Sequence, residues 1–212
     1  MFVGHYAVGL ALKKRSEDVP LWALFVSVQL VDILAFLFIL LGLERIRYNP
    51  SPNPFLRTVL EYMPFSHSLS ANAALALAVF LIFWRLKSKE WGIVLSIGVL
   101  SHWFLDALVH VPEMPIVYDS LKVGLGLWRY PWTAFLLELA VLLLAGAYLL
   151  KGPARRGRHI VLIAFAALCF GGMFFSPEAE ATPALVSVMS LAVYAAFTAL
   201  AYWCEREGIR RS

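Results

Sequence analysis

Six long apolar runs leave a chain of this length one architecture. They cover residues 21–43, 69–84, 91–111, 131–150, 160–176 and 184–204. A run of about 20 apolar residues forms a helix that crosses a ~30 Å hydrocarbon layer, and in lipid such a helix satisfies its own backbone. Of the 212 residues, 61% are hydrophobic and 15% charged. A soluble domain is roughly 45–50% apolar, so too few polar side chains exist here to coat the runs with a water-facing surface. The expected fold is all-α, a single polytopic transmembrane bundle over residues 1–212 with no appended soluble domain. A shorter apolar stretch, residues 1–12, comes first. It rises roughly 18 Å, so as a seventh, short span it either crosses with Lys13 and Lys14 snorkelling or ends within the outer half. No basic n-region or small-residue cleavage site precedes it, and no cleaved signal peptide is expected. Cys169 and Cys204 lie in apolar stretches and are expected as core residues rather than a disulfide.

The basic residues set the expected orientation. With Lys13, Lys14 and Arg15 in the cytoplasm and the spans alternating, Arg85, Lys87 and Lys89 fall inside, as do Lys151, Arg155, Arg156, Arg158, Arg206, Arg210 and Arg211. Only Arg45, Arg47, Arg57, Lys122 and Arg129 remain outside, an asymmetry that the positive-inside rule reads directly. The N-terminus is therefore expected outward and the C-terminus cytoplasmic. The basic loops are orientation signals, so no nucleic-acid partner is expected; nothing in the sequence speaks to oligomeric state. Two outer loops are long, residues 44–68 and 112–130. The first carries Pro50, Pro52, Pro54 and Pro64 and is expected as turn or extended chain, with residues 55–63 able to lie on the membrane surface. Function more often sits on the elaborated side.

Ionisable side chains within a span are costly and usually functional. Asp32 and His102 each lie roughly 18 Å from the cytoplasmic end of their spans, Glu138 roughly 20 Å and His5 roughly 12 Å. His67 stands at the outer end of the third span, counting the short stretch as the first, and Asp106 and His110 follow His102 at successive turns. Seven groups from five segments thus gather between the midplane and the outer surface. The spacing His102, Asp106, His110 places three of them on one helix face, and imidazole with carboxylate is the usual N/O donor set for Zn²⁺ and similar ions. Blander readings stand beside this one. His5 and His110 fit interfacial positions, and His67 fits a loop beside a helix N-cap at Ser66 or Ser68. Asp32, His102, Asp106 and Glu138 also fit structural polar contacts among helices. Trp91, Trp128 and Trp132 fit an interfacial aromatic belt.

These residues resemble a family. Gly4-His5-Tyr6-Ala7-Val8-Gly9, Asp32, Pro64-Phe65-Ser66-His67-Ser68 and Ser101-His102-Trp103-Phe104-Leu105-Asp106, continuing to His110-Val111-Pro112-Glu113-Met114-Pro115, are similar to the membrane-bound metal-dependent hydrolases. Those are small bacterial inner-membrane proteins, which implies an inner-membrane location for this chain, and are themselves distantly similar to zinc-dependent phospholipases C and single-strand nucleases. The likeness runs to about Glu138, and the last two spans are merely hydrophobic. It implies His102 and Asp106 as the helical HxxxD pair of a zinc site, with His5, Asp32, His67 and Glu138 as counterparts by type and order. It departs where the soluble enzymes carry HxxxE, since Ala134 stands four residues before Glu138.

The expected function is an outward-facing intramembrane metal-dependent hydrolase acting on a lipid, a lipid-linked phosphoester or another amphiphile. One to three divalent ions are expected, zinc first. His102, Asp106, His67 and Asp32 are the first-choice ligands and His5 and His110 further ones, with Glu138 or Asp32 as general base. A polar cavity roofed by the two outer loops is expected above them, with Arg45, Arg47 or Lys122 steering an anionic head group. A metal-ion or proton transporter predicts polar groups through both leaflets. A non-catalytic protein with a structural metal predicts the same ligands as the hydrolase.

Overall fold

The computed structural model describes residues 1–151 and 156–209. Arg155, Arg210 and Arg211, used above for orientation, lie outside the described residues. Among those described, seven helices form the body: α1 (Val3–Arg15), α2 (Leu21–Leu40), α3 (Leu69–Leu86), α4 (Lys89–Val109), α5 (Pro131–Leu150), α6 (Arg156–Phe174) and α7 (Pro183–Ile209). All but α1 are long and apolar enough to cross a membrane. The chain is a helical bundle and a multi-pass membrane protein.

The 13-residue α1 is too short to span, yet it is central. Val3, His5, Tyr6, Ala7 and Leu10 are buried, and the helix packs on α2, α4 and α5. A helix apolar on most of its circumference belongs inside a bundle. Helix α2 is the second pillar, lying against α1 and α4 on one side and α7 on the other. Gly98 lets α4 approach it closely, because a Cβ there would run into Ser27 Oγ. On α4 the buried face reads Leu95, Val99, His102, Asp106 and Val109, an apolar stripe that turns polar for one turn.

One end of the bundle gathers basic residues. Lys13 pairs with Glu205 at 2.9 Å, and Glu205 also accepts a hydrogen bond from the backbone N–H of Leu21, so α1, α2 and α7 are tied there. At the other end residues 44–68, expected as turn or extended chain, form an antiparallel hairpin, β1 (Arg45–Tyr48) with β2 (Thr58–Tyr62), joined through a 3-10 turn at Pro54–Leu56. Instead of lying flat with mixed residues outward, the segment alternates. Ile46 and Leu60 face inward onto Ala35 of α2 and Trp103 of α4, with Met63 and Met114 completing the cluster, while Arg47 and Glu61 face out and pair at 3.0 Å. The loop before α5 interlocks with the hairpin, Glu113 accepting from Leu60 N–H at 3.1 Å, and with the start of α3, where the carbonyls of Pro115 and Ile116 accept from Leu69 N–H and Ser70 N–H. Both cysteines are free.

Candidate metal centre

Four ligand atoms from three neighbouring elements converge where the hairpin covers the bundle. Asp32 comes from α2, His67 from the turn entering α3, and His102 and Asp106 from α4, and one ligand atom of each lies within 4.8 Å of the others. His67 precedes Ser68, whose hydroxyl caps α3 by accepting from Ala71 N–H. That turn is fixed by Asn72, buried, donating to the carbonyls of Ser66 and Ser68 at 2.6 and 3.0 Å.

The two imidazoles are oriented from behind. His102 Nδ1 lies 2.8 Å from the Val28 carbonyl, which can only accept, so the Nδ1 proton is placed and, in the neutral imidazole a metal requires, Nε2 carries the lone pair. His67 Nδ1 lies 2.9 Å from Ser66 Oγ, which donates to Glu44 Oε2 at 2.6 Å. With its own proton spent on Glu44, Ser66 Oγ accepts from His67, and in the neutral imidazole His67 Nε2 carries the lone pair. Glu44 is held in turn, its Oε1 accepting from the N–H groups of Phe65 and Ser66, both at 2.8 Å.

Those lone pairs face the carboxylates. His67 Nε2 lies 3.3 Å from Asp32 Oδ1 and 3.7 Å from Asp106 Oδ2; His102 Nε2 lies 3.4 Å and 3.2 Å from the same two oxygens. Although buried, His102 Nε2 has no hydrogen-bond partner. Acceptors crowded in this way need a positive charge among them. A tetrahedral ion about 2.0–2.1 Å from each ligand separates the ligand atoms by roughly 3.3–3.4 Å, close to the spacings found. The donor set and its geometry fit a metal ion.

The remaining candidates are distributed around this group. His5 stacks on His102, ring centroids 3.8 Å apart and 2° from parallel, with its Nε2 3.1 Å from Asp106 Oδ1. It braces Asp106 from the side away from the convergence point. The Met1 ammonium also reaches Asp106 Oδ1. Glu138 accepts from Phe2 N–H at 2.8 Å and from Trp128 Nε1–H at 3.2 Å, so the half-buried Trp128 is tied to α5. His110 leaves the ligand face. Helix α4 ends at Val109, the chain turns extended at His110 ahead of Pro112, and His110 Nδ1 pairs with Glu113 at 2.6 Å. Neither His110 nor Glu138 is in the four-residue group.

Other partners were not expected. Gln29 and Tyr194 donate to Asp32 Oδ2 at 3.0 and 2.9 Å, leaving Oδ1 to face the imidazoles. Glu44 and Glu113 belong to the same account. Gln29 carries a sequence signal, an amide three residues before an intramembrane carboxylate. Tyr194 carries none, yet it brings α7 into the site. The expected polar cavity is not what adjoins the cluster: His5 and His102 are fully buried, Asp106 is 2% exposed, and the space alongside is apolar. Arg47 and Lys122 are engaged with Glu61 and Asp119, and Arg45 lies over the Tyr62 ring. Tyr62 bonds Tyr118 through their hydroxyls, which raises its pKa above the ordinary tyrosine value. Ser27 and Ser96, which a transport path would recruit, donate to Leu24 and Ile93 carbonyls of their own helices.

Fold and cluster together define a class: a multi-pass α-helical membrane protein with a buried pair of imidazoles and pair of carboxylates able to bind a metal ion. The chain matches no protein-family model, no curated protein and no solved structure.

Proposed function

We propose that this protein is a metal-dependent hydrolase of the membrane, with zinc the first choice of ion and a lipid or lipid-linked ester the substrate class. The observation that carries the reading is the convergence of two imidazole lone pairs and two carboxylates, each imidazole held from behind by a hydrogen bond on its other nitrogen. Supporting partners of that kind orient metal-binding histidines. The reading is also the one implied by the resemblance of His102 and Asp106 to an HxxxD pair. A divalent ion bound there would supply Lewis acidity, polarising a scissile oxygen and lowering the pKa of water toward ~7.

The chain's own groups divide the remaining work. His67, His102 and Asp106 would hold the ion. Asp32 is the most accessible member, its side chain 17% exposed, and is the ligand placed to share its position with substrate. Glu138 is the group to hold a proton in the reaction; Phe2 N–H and Trp128 Nε1–H keep its carboxylate in place. One ion satisfies the four-atom set, and a second or third would draw on His5, Glu138 or His110. The site is assigned to the outer side of a bacterial-type inner membrane on the distribution of Lys and Arg. Cysteines placed at Lys87 and Leu121, in a protein lacking the native two, test this: Lys87→Cys should label from the cytoplasm and Leu121→Cys from outside.

A structural metal is the rival reading, and one observation favours it: the protein offers four ligand atoms, the number that would fill a tetrahedral site. Metal content and ester hydrolysis, measured on the wild type, His102→Ala and Glu138→Gln, separate the two. The hydrolase reading expects bound divalent metal in the wild type and its loss with activity in His102→Ala. It expects Glu138→Gln to keep the metal and lose turnover. Metal-replete wild type that cleaves no phosphoester, ester or amide of a lipid panel would leave the structural reading standing.

A further inference from the structure

Tyr6 and Gln29 each bury a polar atom that no protein group meets. Among the described residues, the Tyr6 hydroxyl and Gln29 Oε1 have no hydrogen-bond partner, and both residues are 1% exposed. Neither side chain can turn to find one. Gln29 is pinned by its other end, Nε2 donating to Asp32 Oδ2 at 3.0 Å. The Tyr6 ring is held between Phe197, stacked at 4.3 Å, and Phe25 at 4.8 Å. The two atoms nevertheless point into one layer. Helices α2 and α7 run in opposite directions, Leu21 meeting Glu205 at one end and Asp32 meeting Tyr194 further along. Gln29 comes one turn after Phe25, and Tyr194 one turn before Phe197, so both lie on the Asp32 side of the Tyr6 ring. Helical side chains lean toward their helix N-terminus. For α1 that is also the Asp32 side, since Lys13 lies at the Glu205 end. The Tyr6 hydroxyl therefore enters the layer of Gln29, Tyr194 and Asp32, within electrostatic reach of the last two.

We propose that this layer binds one buried water, kept there by Tyr6, and that the water completes the support of Asp32. The chemistry selects the occupant. A buried donor and a buried acceptor that do not reach each other need a small molecule that both accepts and donates. Water accepts from Tyr6 O–H and donates to Gln29 Oε1. Its second proton goes to the Tyr194 hydroxyl oxygen, whose own proton is committed to Asp32 Oδ2 at 2.9 Å. That makes about three hydrogen bonds, the usual number for a buried water. A metal cation would leave the Tyr6 proton without an acceptor, and an anion would leave Gln29 Oε1 without a donor. The consequence falls on the metal centre. Gln29 and Tyr194 are the two donors to Asp32 Oδ2, and they leave Oδ1 facing His67 and His102 at 3.3 and 3.4 Å. A water bonded to both donors fixes them. Tyr6, which bonds no ligand itself, thereby positions Asp32. The water site does not depend on hydrolysis; its effect on metal binding rests on the metal centre.

Gln29 is the chain's one glutamine, so glutamine labelled with ¹³C and ¹⁵N in its side-chain amide gives a single probe. The test uses the full-length protein in detergent micelles, as wild type and as Tyr6→Phe. In the wild type the labelled carbonyl should absorb at the lower infrared frequency of a hydrogen-bonded amide, and the Gln29 side-chain N–H should show a nuclear Overhauser cross-peak to water. Tyr6→Phe keeps the ring between Phe25 and Phe197 and removes the hydroxyl. It should lose the cross-peak, move the carbonyl band to the frequency of a free amide, and weaken metal binding up to about tenfold by chelator competition. A free carbonyl in the wild type overturns the proposal, and so does a bonded carbonyl with no cross-peak to water; neither result needs the variant. A cross-peak that survives Tyr6→Phe, or metal affinity that Tyr6→Phe leaves unchanged or raises, overturns the role of Tyr6. A wild type with water at Gln29 and bound metal but no hydrolysis would uphold this inference and sink the hydrolase reading. Metal-dependent hydrolysis with a free Gln29 carbonyl would do the reverse.

Discussion

Glu44→Gln tests whether the cluster is built for a metal, because it touches no ligand and changes almost no volume. Glu44 accepts three hydrogen bonds, from Phe65 N–H and Ser66 N–H on Oε1 and from Ser66 Oγ on Oε2. A glutamine has one carbonyl oxygen. If that oxygen keeps the two backbone donors, the amide N–H₂ faces Ser66 Oγ, whose proton loses its acceptor. The hydroxyl that accepted from His67 Nδ1 is then free to donate toward it, and the polarity that leaves His67 Nε2 as an acceptor is lost. Removing such a supporting partner weakens metal binding tenfold to a hundredfold, about 1.4 to 2.8 kcal/mol. Competition against a chelator of known affinity measures this directly, on wild type, Glu44→Gln and Ser66→Ala. The two variants should weaken binding by similar factors, since both cut the same chain, and the double variant should be little worse than either. Unchanged metal affinity in Glu44→Gln, with the protein folded, would refute the account of how His67 is oriented.

Other predictions follow from the same geometry. Gly98→Val forces α4 away from Ser27 on α2; it should cost about 1–3 kcal/mol of stability and lower metal affinity, read by thermal unfolding and chelator competition, because Asp32 and His102 lie on those two helices. Tyr118→Phe should return the Tyr62 ionisation, followed by tyrosinate absorbance, from its raised position toward the ordinary value. The sign is that of an acid kept neutral by its partner: the contribution of this pair is present below the ordinary tyrosine pKa and lost as pH rises through the raised one. Metal-stripped protein should unfold at lower temperature than metal-loaded protein, by up to about 4.1 kcal/mol at a free ion concentration a thousand times Kd, with helix content unchanged before the transition. His110→Ala should leave metal content intact, since its ring is paired with Glu113 outside the four-residue group; loss of the metal would restore it as a ligand.

The spans were legible because lipid imposes one local rule on every residue of a run. Helix α5 covers residues 131–150 as the apolar run alone indicates. The end of α2 was not, because the apolar run continues to Leu43 while the helix stops at Leu40 and Gly42 turns the chain with φ +73. The hairpin escaped because its alternation spans only a few residues on each side of a proline-rich turn. In the site, the i, i+4 pair His102 and Asp106 was visible from helical geometry, and Asp32 and His67 from their depth. His110 lies outside the group: the periodicity extends to it, although the helix ends one residue earlier, at Val109. Glu44 and Tyr194 reach the cluster through tertiary contacts of 22 and 162 residues' separation, and no local pattern marks such residues.

The arrangement also separates insertion from assembly. Apolar length alone carries the six long helices into the membrane, and that step needs no ion. The cluster forms only when α2 and α4 have packed and the turn before α3 has been clamped by Glu44 from the hairpin. Until then two carboxylates and two imidazoles have no reason to share a site, and once packed they favour a positive charge among them, a metal ion or an imidazole proton. The ligands therefore act on the end of the bundle where the hairpin lies, and the Lys13–Glu205 tie acts on the opposite end. A residue that weakens metal binding without touching a ligand should lie along the path from Asp32 through His67 to the hairpin, and not near Lys13.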